Sequence, residues 1–275
     1  MCQKIYLDTN AFRYFGQAFQ EVSLPENLKD RILISPLSAF EVFAQLANQD
    51  DGEKVLFQIR AIRNWTNLQS CGLLPWPDEM LCQLWFRKTI RDENFTRQIE
   101  HSFNACLSAS SVAVLKKESE EFKQVMDKFK LDIAQDFKNM IDAARNKRIK
   151  SFDVTNAWFL GIAKRVNAES SSERMPDLIS ALSAYHEFEE SKFTTALVNP
   201  KYNPLSKKNR NDIVDSEQLI YLGDESLCML TSDRGIQRKV TKSKQAARII
   251  WTEMNDLIDA RKAEAVVRRA IFAKP

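Results

Sequence analysis

The chain has 275 residues, 44% hydrophobic and 28% charged, which is enough to bury the core of a globular protein. No apolar run approaches the ~20 residues that span a bilayer, and the N-terminus lacks a basic region followed by a long apolar stretch, so we expect a cytoplasmic protein without membrane contact. The five cysteines are scattered and lack CxxC spacing, which argues against a zinc site and predicts reduced thiols. The net charge of +3 is too small to indicate a polyanionic partner by itself.

The first predicted element is a short apolar strand that ends, after Leu7, at three polar residues. Asp8, Thr9 and Asn10 follow it, and a helical pattern comes next. In open α/β sheets, ligands bind at the carboxyl ends of the strands, so these residues are candidates for a site. The alternative is that they only form a turn and cap the helix.

A second strand and helix repeat this arrangement. The helix after the first strand carries Phe12, Phe15 and Phe19 on one face, which predicts core packing. Residues 31–35 predict the second strand, and Ser35 followed by proline predicts the start of a helix over 37–46. That helix carries Glu41, so a second carboxylate follows a strand.

The region from residue 50 to about 199 has helical patterns and no convincing strand. Its predicted helices cover residues 52–67, 78–88, 94–109, 110–150, 152–166 and 176–193. The pattern over 110–150 fits either one long helix or two.

The last part of the chain returns to alternating strands and helices. A helix is predicted over 211–222, with Asp212 and Asp215 near its N-terminal end and on one face. A strand over 226–231 precedes Asp233, a last strand covers 247–251, and a basic helix is predicted from Thr252. Acidic residues thus mark a third crossing from strand to helix.

Two basic segments flank these acids. Residues 198–210 contain Lys201, Lys207, Lys208 and Arg210 and no acid, and residues 234–275 contain eleven Lys or Arg against four Asp or Glu. A nuclease needs basic residues beside an acidic site, because phosphates must be attracted while metals are held. The alternative for each cluster is a solvated helix face.

If the strands are parallel, these acids lie at one edge of the sheet. Clustered carboxylates raise one another's pKa, so the cluster is costly unless divalent cations neutralise it. Oxygen ligands suit Mg²⁺ or Mn²⁺ rather than zinc, and two such ions can activate a water and stabilise both oxygens of a phosphodiester displacement.

The chain resembles the PIN-domain (PilT N-terminus-like) nuclease family. That family has an apolar strand ending in Asp-Thr-Asn or Asp-Thr-Ser, a helical Glu, an Asp opening a helix, and Thr-x-Asp after a strand. The matching segments are Tyr6-Leu7-Asp8-Thr9-Asn10-Ala11, Ser38-Ala39-Phe40-Glu41-Val42, Asp212-Ile213-Val214-Asp215-Ser216-Glu217-Gln218-Leu219-Ile220-Tyr221-Leu222 and Leu230-Thr231-Ser232-Asp233-Arg234.

The resemblance implies an α/β fold, Rossmann-like with three α/β/α layers around a small parallel sheet, and a metal-dependent endoribonuclease. The metal-binding and catalytic acids it implies are Asp8, Glu41, Asp215 and Asp233, with Asp212 as an alternative or auxiliary metal ligand. Thr9, Asn10, Thr231 and Ser232 are the implied groups that orient the acids or the water. RNA is the expected substrate, and the basic residues expected to hold it are Lys207, Lys208, Arg210 and Arg234. For Arg234 the alternative is a salt bridge to an acid of the site.

The resemblance covers residues 1–50 and about 206–255. We therefore predict a discontinuous nuclease core, 1–50 and 206–275, and a helical insertion or lobe over 51–205 that partly covers the core sheet. Members of the family also act as toxins of toxin–antitoxin pairs or in defence, so an antitoxin, another protein or a second copy of the chain are further expected partners.

The competing hypothesis is a catalytically silent scaffold of the same fold that binds RNA or a protein partner through the helical lobe. The complete set of acids argues against it, since a binding module has no need of their repulsion. A phosphohydrolase with a nucleophilic Asp8 is disfavoured because Asn10 stands where those enzymes place a second Asp. No GxxxxGK[ST] loop is present, which disfavours an NTPase.

Overall fold

The computed structural model describes residues 3–48, 50–68, 72–89, 91–146, 154–167 and 173–272. Its strands are β1 Lys4–Leu7, β2 Ile32–Ile34, β3 Leu227–Thr231 and β4 Ile249–Trp251. Its helices are α1 Thr9–Ala18, α2 Glu26–Lys29, α3 Pro36–Gln45, α4 Gly52–Arg60, α5 Ile62–Trp65, α6 Pro77–Phe86, α7 Glu93–Ser108, α8 Lys116–Asn146, α9 Val154–Arg165, α10 Met175–Ala181, α11 Ser183–Val198, α12 Lys207–Gln218, α13 Arg234–Lys239, α14 Met254–Leu257 and α15 Ala260–Phe272. Short 3₁₀ segments cover Val112–Leu115, Leu219–Gly223 and Lys244–Arg248.

The four strands form one parallel sheet in the order β2-β1-β3-β4. Ile5 of β1 lies opposite Ile32 of β2 on one side and Cys228 of β3 on the other. The prediction of an α/β fold with a small parallel sheet is therefore confirmed. Because the strands are parallel, their carboxyl ends lie at one edge of the sheet, which is the condition under which the predicted acids come together.

Helices pack on both faces of this sheet, because successive strand residues point to opposite sides. Ile5 and Leu7 belong to a buried core shared with the aromatic residues of α1 and α3. Tyr6, between them, belongs to a second core shared with residues of α6, α10 and α11. The predicted aromatic stripe of α1, Phe12, Phe15 and Phe19, is buried as expected.

The described part of the middle region is mostly helical, and one long helix, α8, covers Lys116–Asn146. The isolated bridge between Ile34 and Leu73 is its one β contact in that part. Phe122 and Met126 of α8 share a core with β1, and α8 packs against both α3 and α12. The middle region thus covers both sheet faces, while its status as a separate insertion stays a prediction.

Local capping explains where the acid-bearing helices begin. Ser35 caps α3 by accepting a hydrogen bond from Leu37 N at 3.2 Å, with Pro36 at the first helical position, as predicted. The predicted start of α12 was wrong: Ser206 caps it, so the helix begins at Lys207. Asp212 and Asp215 consequently lie in its second and third turns.

Two predictions from composition can be compared with the fold. No helix in the described ranges is both long and apolar enough to cross a membrane. The thiols of Cys82 and Cys106 are free, but Cys228 is disulfide-bonded, so the prediction of reduced thiols is wrong at that position. Disulfide formation depends on distances in the fold, which spacing along the chain does not reveal.

Candidate functional site

Asp8 is held from two sides at the end of β1. Its Oδ1 accepts a hydrogen bond from Ala11 N at 2.6 Å, which makes Asp8 the N-cap of α1. Its Oδ2 accepts a hydrogen bond from Thr231 Oγ1, at the end of the neighbouring strand β3. Asp8 is 4% exposed. The helix-capping interpretation is therefore correct for one oxygen, while the other ties β1 to β3.

Glu41 lies on α3 between two partners from different parts of the chain. Thr9 Oγ1 donates a hydrogen bond to its Oε2 at 2.5 Å. The ammonium of Lys130, on α8, donates to its Oε1 in a largely buried ion pair. Thr9 directly follows Asp8 in the sequence, so its hydrogen bond orients Glu41 relative to Asp8. Lys130 neutralises the Glu41 carboxylate.

Asp212 and Asp215 differ in their partners although both lie on α12. Lys239 Nζ donates to Asp212 Oδ2 at 2.6 Å. Asp215, by contrast, has neither a hydrogen bond nor a cationic partner within the described residues. Of the two acids that the sequence left open as the third metal ligand, Asp215 is the one whose charge is uncompensated.

Asp233 follows β3 and caps α13. Its Oδ1 accepts hydrogen bonds from the backbone N–H groups of Gly235 and Ile236, and its own N–H donates to Thr231 Oγ1 at 2.9 Å. Thr231 thus contacts both Asp8 and Asp233. One buried hydroxyl fixes the relative positions of two predicted acids.

A series of buried hydrogen bonds connects the C-terminal end of α12 to the sheet. Tyr6 on β1 donates its hydroxyl to the carbonyl oxygen of Gln218 at 2.8 Å, and the Gln218 amide donates to Ser38 Oγ at 2.7 Å. Ser38 in turn donates to the carbonyl oxygen of Leu7 at 2.9 Å. These bonds set the position of α12, and hence of Asp215, relative to β1 and α3.

The electrostatic coupling shows which acids are brought together. Burial raises the pKa of Asp215 well above its usual range, and the charges of Asp233, Glu41, Asp8 and Asp212 raise it further. Burial also raises the pKa of Asp8 to about 7, despite its hydrogen bonds from Thr231 and Ala11. The five predicted acids therefore form one electrostatic cluster.

The cluster has the donor chemistry of a site for a hard divalent cation, since its side chains offer only carboxylate oxygens. Across the described ranges, however, no group of three or more His, Cys, Asp or Glu side chains is arranged to hold a metal ion. Two of the acids, Glu41 and Asp212, instead pair with the ammonium groups of Lys130 and Lys239.

Asn10, Ser232 and Arg234 were also predicted to belong to the site. Asn10 and Ser232 make no side-chain hydrogen bond to any described residue, and Asn10 is exposed. Arg234 is exposed, pairs with Glu253 at 3.2 Å and lies over the Trp251 ring, so its salt bridge is to an acid outside the site.

The predicted basic loop is partly a helix. Lys207, Lys208 and Arg210 form the first turn of α12, because Ser206 caps it. Lys207 lines a cleft that also contains Glu41. Lys208 is exposed and Arg210 half-buried, and neither lines that cleft.

Sequence reasoning missed Lys130 and Lys239, the two cations that contact the acids. Lys130 is 89 residues from Glu41 and Lys239 is 27 residues from Asp212. Neither residue stands out in a chain with 40 Lys and Arg, and no local spacing pairs them with the acids. Only the packing of α8 on α3 and of α13 near α12 could identify them.

No protein-family model matches this chain, and no curated protein or solved structure matches it.

Proposed function

We propose that this protein is a metal-dependent endoribonuclease with a PIN-like, Rossmann-like α/β/α core, hydrolysing phosphodiester bonds of RNA with Mg²⁺ or Mn²⁺. The observation that carries the proposal is the state of Asp215, which faces four other acids and no described cation. A carboxylate of this kind, beside other acids and without a cationic partner, costs stability in the free protein, and a divalent cation would remove that cost.

The acids that would hold the metal come from four separate segments. Asp8, Glu41, Asp215 and Asp233 are the proposed ligands, and Asp212 is auxiliary because Lys239 already neutralises it. When bound, such an ion lowers the pKa of a water and stabilises the charge that develops on the phosphodiester. In the free protein one Glu41 oxygen accepts from Lys130 and the other from Thr9, so a metal ion at Glu41 would compete with the Lys130 ammonium.

The threonines act by holding the acids in place. Thr231 restrains one oxygen of Asp8 and the backbone of Asp233, and Thr9 restrains one oxygen of Glu41. Groups that orient ligands in this way are usually worth 10–100-fold in affinity or activity. We propose this role for both residues.

A second candidate is a catalytically silent scaffold of the same fold that binds RNA or a protein partner. The observation that favours it is that ammonium groups already neutralise Glu41 and Asp212. Permanent lysine partners would make metal binding unnecessary. The two candidates differ in a measurable way, because only the nuclease needs a divalent cation.

The test is a cleavage assay on end-labelled single-stranded RNA and DNA with Mn²⁺, with Mg²⁺ and with chelator. We expect wild-type protein to cut RNA only when a metal is present. Asp8→Asn and Asp215→Asn should each lower the rate by about a hundredfold or more, equivalent to ~2.7 kcal/mol of transition-state stabilisation.

The matched control is Asp132→Asn, since Asp132 is exposed on α8 and forms no hydrogen bond or ion pair with any described residue. It should cut like wild type. Metal-dependent cutting that survives both site substitutions would show that the site is misassigned. Wild-type protein that binds RNA but cuts nothing would favour the scaffold.

A further inference from the structure

A cleft opens between α3 and α8 directly beside Glu41. Its volume is about 220 Å³. Its lining residues that carry charge are Glu41, Lys123, Asp127, Lys130 and Lys207. Three helices contribute to it, and α8, which supplies three of these five residues, belongs to the middle region of the chain.

Helix geometry places two of the cleft's lysines on one face of α8, and the third begins α12. Lys123 and Lys130 are seven residues apart on α8, so they lie on the same face, two turns from each other. Lys207 begins α12, and Asn211 and Asp215 follow at intervals of four on one face of that helix. Lys130 Nζ lies 3.4 Å from Asn211 Oδ1. Lys130 therefore connects the cleft to the acidic cluster through Glu41.

Two of these lysines have no acidic partner in the part of the chain that the structure describes. Lys123 and Lys207 are exposed and form no ion pair there, whereas Lys130 pairs with Glu41. Three ammonium groups thus face two carboxylates within a single cleft. Unpaired ammonium groups beside an acidic centre suit an anionic ligand, and ammonium groups bind phosphate oxygens well.

We propose that Lys123, Lys130 and Lys207 hold the phosphate backbone of one nucleic-acid strand in the cleft between α3 and α8. The inference rests on the proposed function, because the acidic cluster, whose Glu41 lines the cleft, is where the strand would be cut. Lys130 transfers from Glu41 to a phosphate when the strand enters, so the same event that binds the strand frees a carboxylate oxygen. The middle region thereby supplies substrate-binding residues through α8.

The test measures binding in chelator, so that no cutting is required. Fluorescence anisotropy of a labelled single-stranded RNA is recorded against salt concentration for wild type, the three single Lys→Gln variants and the triple variant. Each phosphate contact on a single strand contributes about 0.7 to the slope of log binding constant against log salt. Each single substitution should therefore lower the slope by about 0.7, and the triple substitution by about two.

The matched control is Lys128→Gln. Lys128 is exposed on α8 near both lysines but does not line the cleft. Its salt slope should equal that of wild type, and melting curves of all variants check that they are folded. An unchanged slope in the folded triple variant would overturn the proposal, as would absence of RNA binding by wild type at low salt.

The outcomes also separate this inference from the proposed function. RNA binding that depends on the three lysines, without metal-dependent cutting, would support the cleft as the binding site and contradict the proposed nuclease activity. Metal-dependent cutting together with an unchanged salt slope in the triple variant would support the nuclease activity and contradict RNA binding by the cleft lysines. Slope losses equal in Lys128→Gln and the cleft variants indicate attraction by net charge alone and overturn the cleft.

Discussion

Asp215 and Glu217 lie two residues apart on α12, on opposite sides of the helix, and their surroundings differ sharply. Glu217 is 2% exposed, and Arg165 of α9 contacts it with two hydrogen bonds of 3.0 and 2.6 Å. Tyr185 of α11 adds its hydroxyl at 3.3 Å. Asp215 faces acids instead, and no described cation contacts it.

The comparison separates a structural charge from a candidate functional one. A buried carboxylate with a bidentate arginine and a further donor is fully satisfied, and it fastens helices of the middle region to α12. A carboxylate whose pKa is raised by burial and by four neighbouring acids, as at Asp215, makes the free protein less stable. Strongly perturbed groups of the second kind are the ones that mark functional sites.

The largest expected effect is the loss of the satisfied pair. Arg165→Met leaves Glu217 buried without a cation, so the free energy of unfolding should fall by about 3–5 kcal/mol. The lost bridge between Arg165 and Asp78 adds little, because Asp78 is about half exposed. Urea unfolding followed by tryptophan fluorescence measures the change.

Two controls complete this comparison. Arg165→Met combined with Glu217→Met should regain most of the stability, because no unpaired charge remains. Asp215→Asn, on the other side of α12, should raise the stability of the metal-free protein by removing repulsion. If Asp215→Asn instead lowered the free energy of unfolding by several kcal/mol, Asp215 would stabilise the fold as Glu217 does, and the contrast between the two residues would be wrong.

The next effect is a pH dependence that originates at Asp8. Its pKa is about 7 in the fold against 3.8 ordinarily, so between these values the unfolded chain releases a proton that the folded protein keeps. Asp8 therefore contributes stability that is fully present below about pH 4, falls by up to about 1.4 kcal/mol per pH unit, and is lost above about pH 7. Urea titrations across this range, in chelator, measure the decline.

Asp8→Asn lacks this titration and serves as the reference. Its stability relative to wild type should rise with pH up to about 7 and then level off. Mn²⁺ should reduce the difference, since a bound cation favours the charged carboxylate. A constant difference between the two proteins across the range would contradict the raised pKa.

The smallest expected effect comes from the hydroxyl that joins two acids. Thr231→Val removes the hydrogen bond to Asp8 and the acceptor for Asp233 N, at nearly constant volume. Metal-dependent cutting should fall by about 10–100-fold. Thr231→Ser keeps the hydroxyl and should retain most of the activity, and equal losses in both variants would indicate a packing effect instead.

Much of the fold could be predicted because it depends on local patterns. The strand before Asp8, the capped helix that carries Glu41 and the strand before Asp233 are each encoded within about ten residues, by apolar runs, a cap and a proline. The start of α12 was missed because its cap, Ser206, lies within a stretch whose lysines and asparagines resemble a loop. The prediction that the acids share one edge of the sheet depended on the strands being parallel.

The sequence by itself determined which acids follow the strands, since a strand end and a helix cap are local features. Only the tertiary structure decided which cations meet them. Lys130 reaches Glu41, and Arg165 reaches Glu217, across 89 and 52 residues respectively. Such contacts arise from the packing of α8 and α9 over the core, which depends on buried surfaces shared by distant segments and leaves no local spacing to detect.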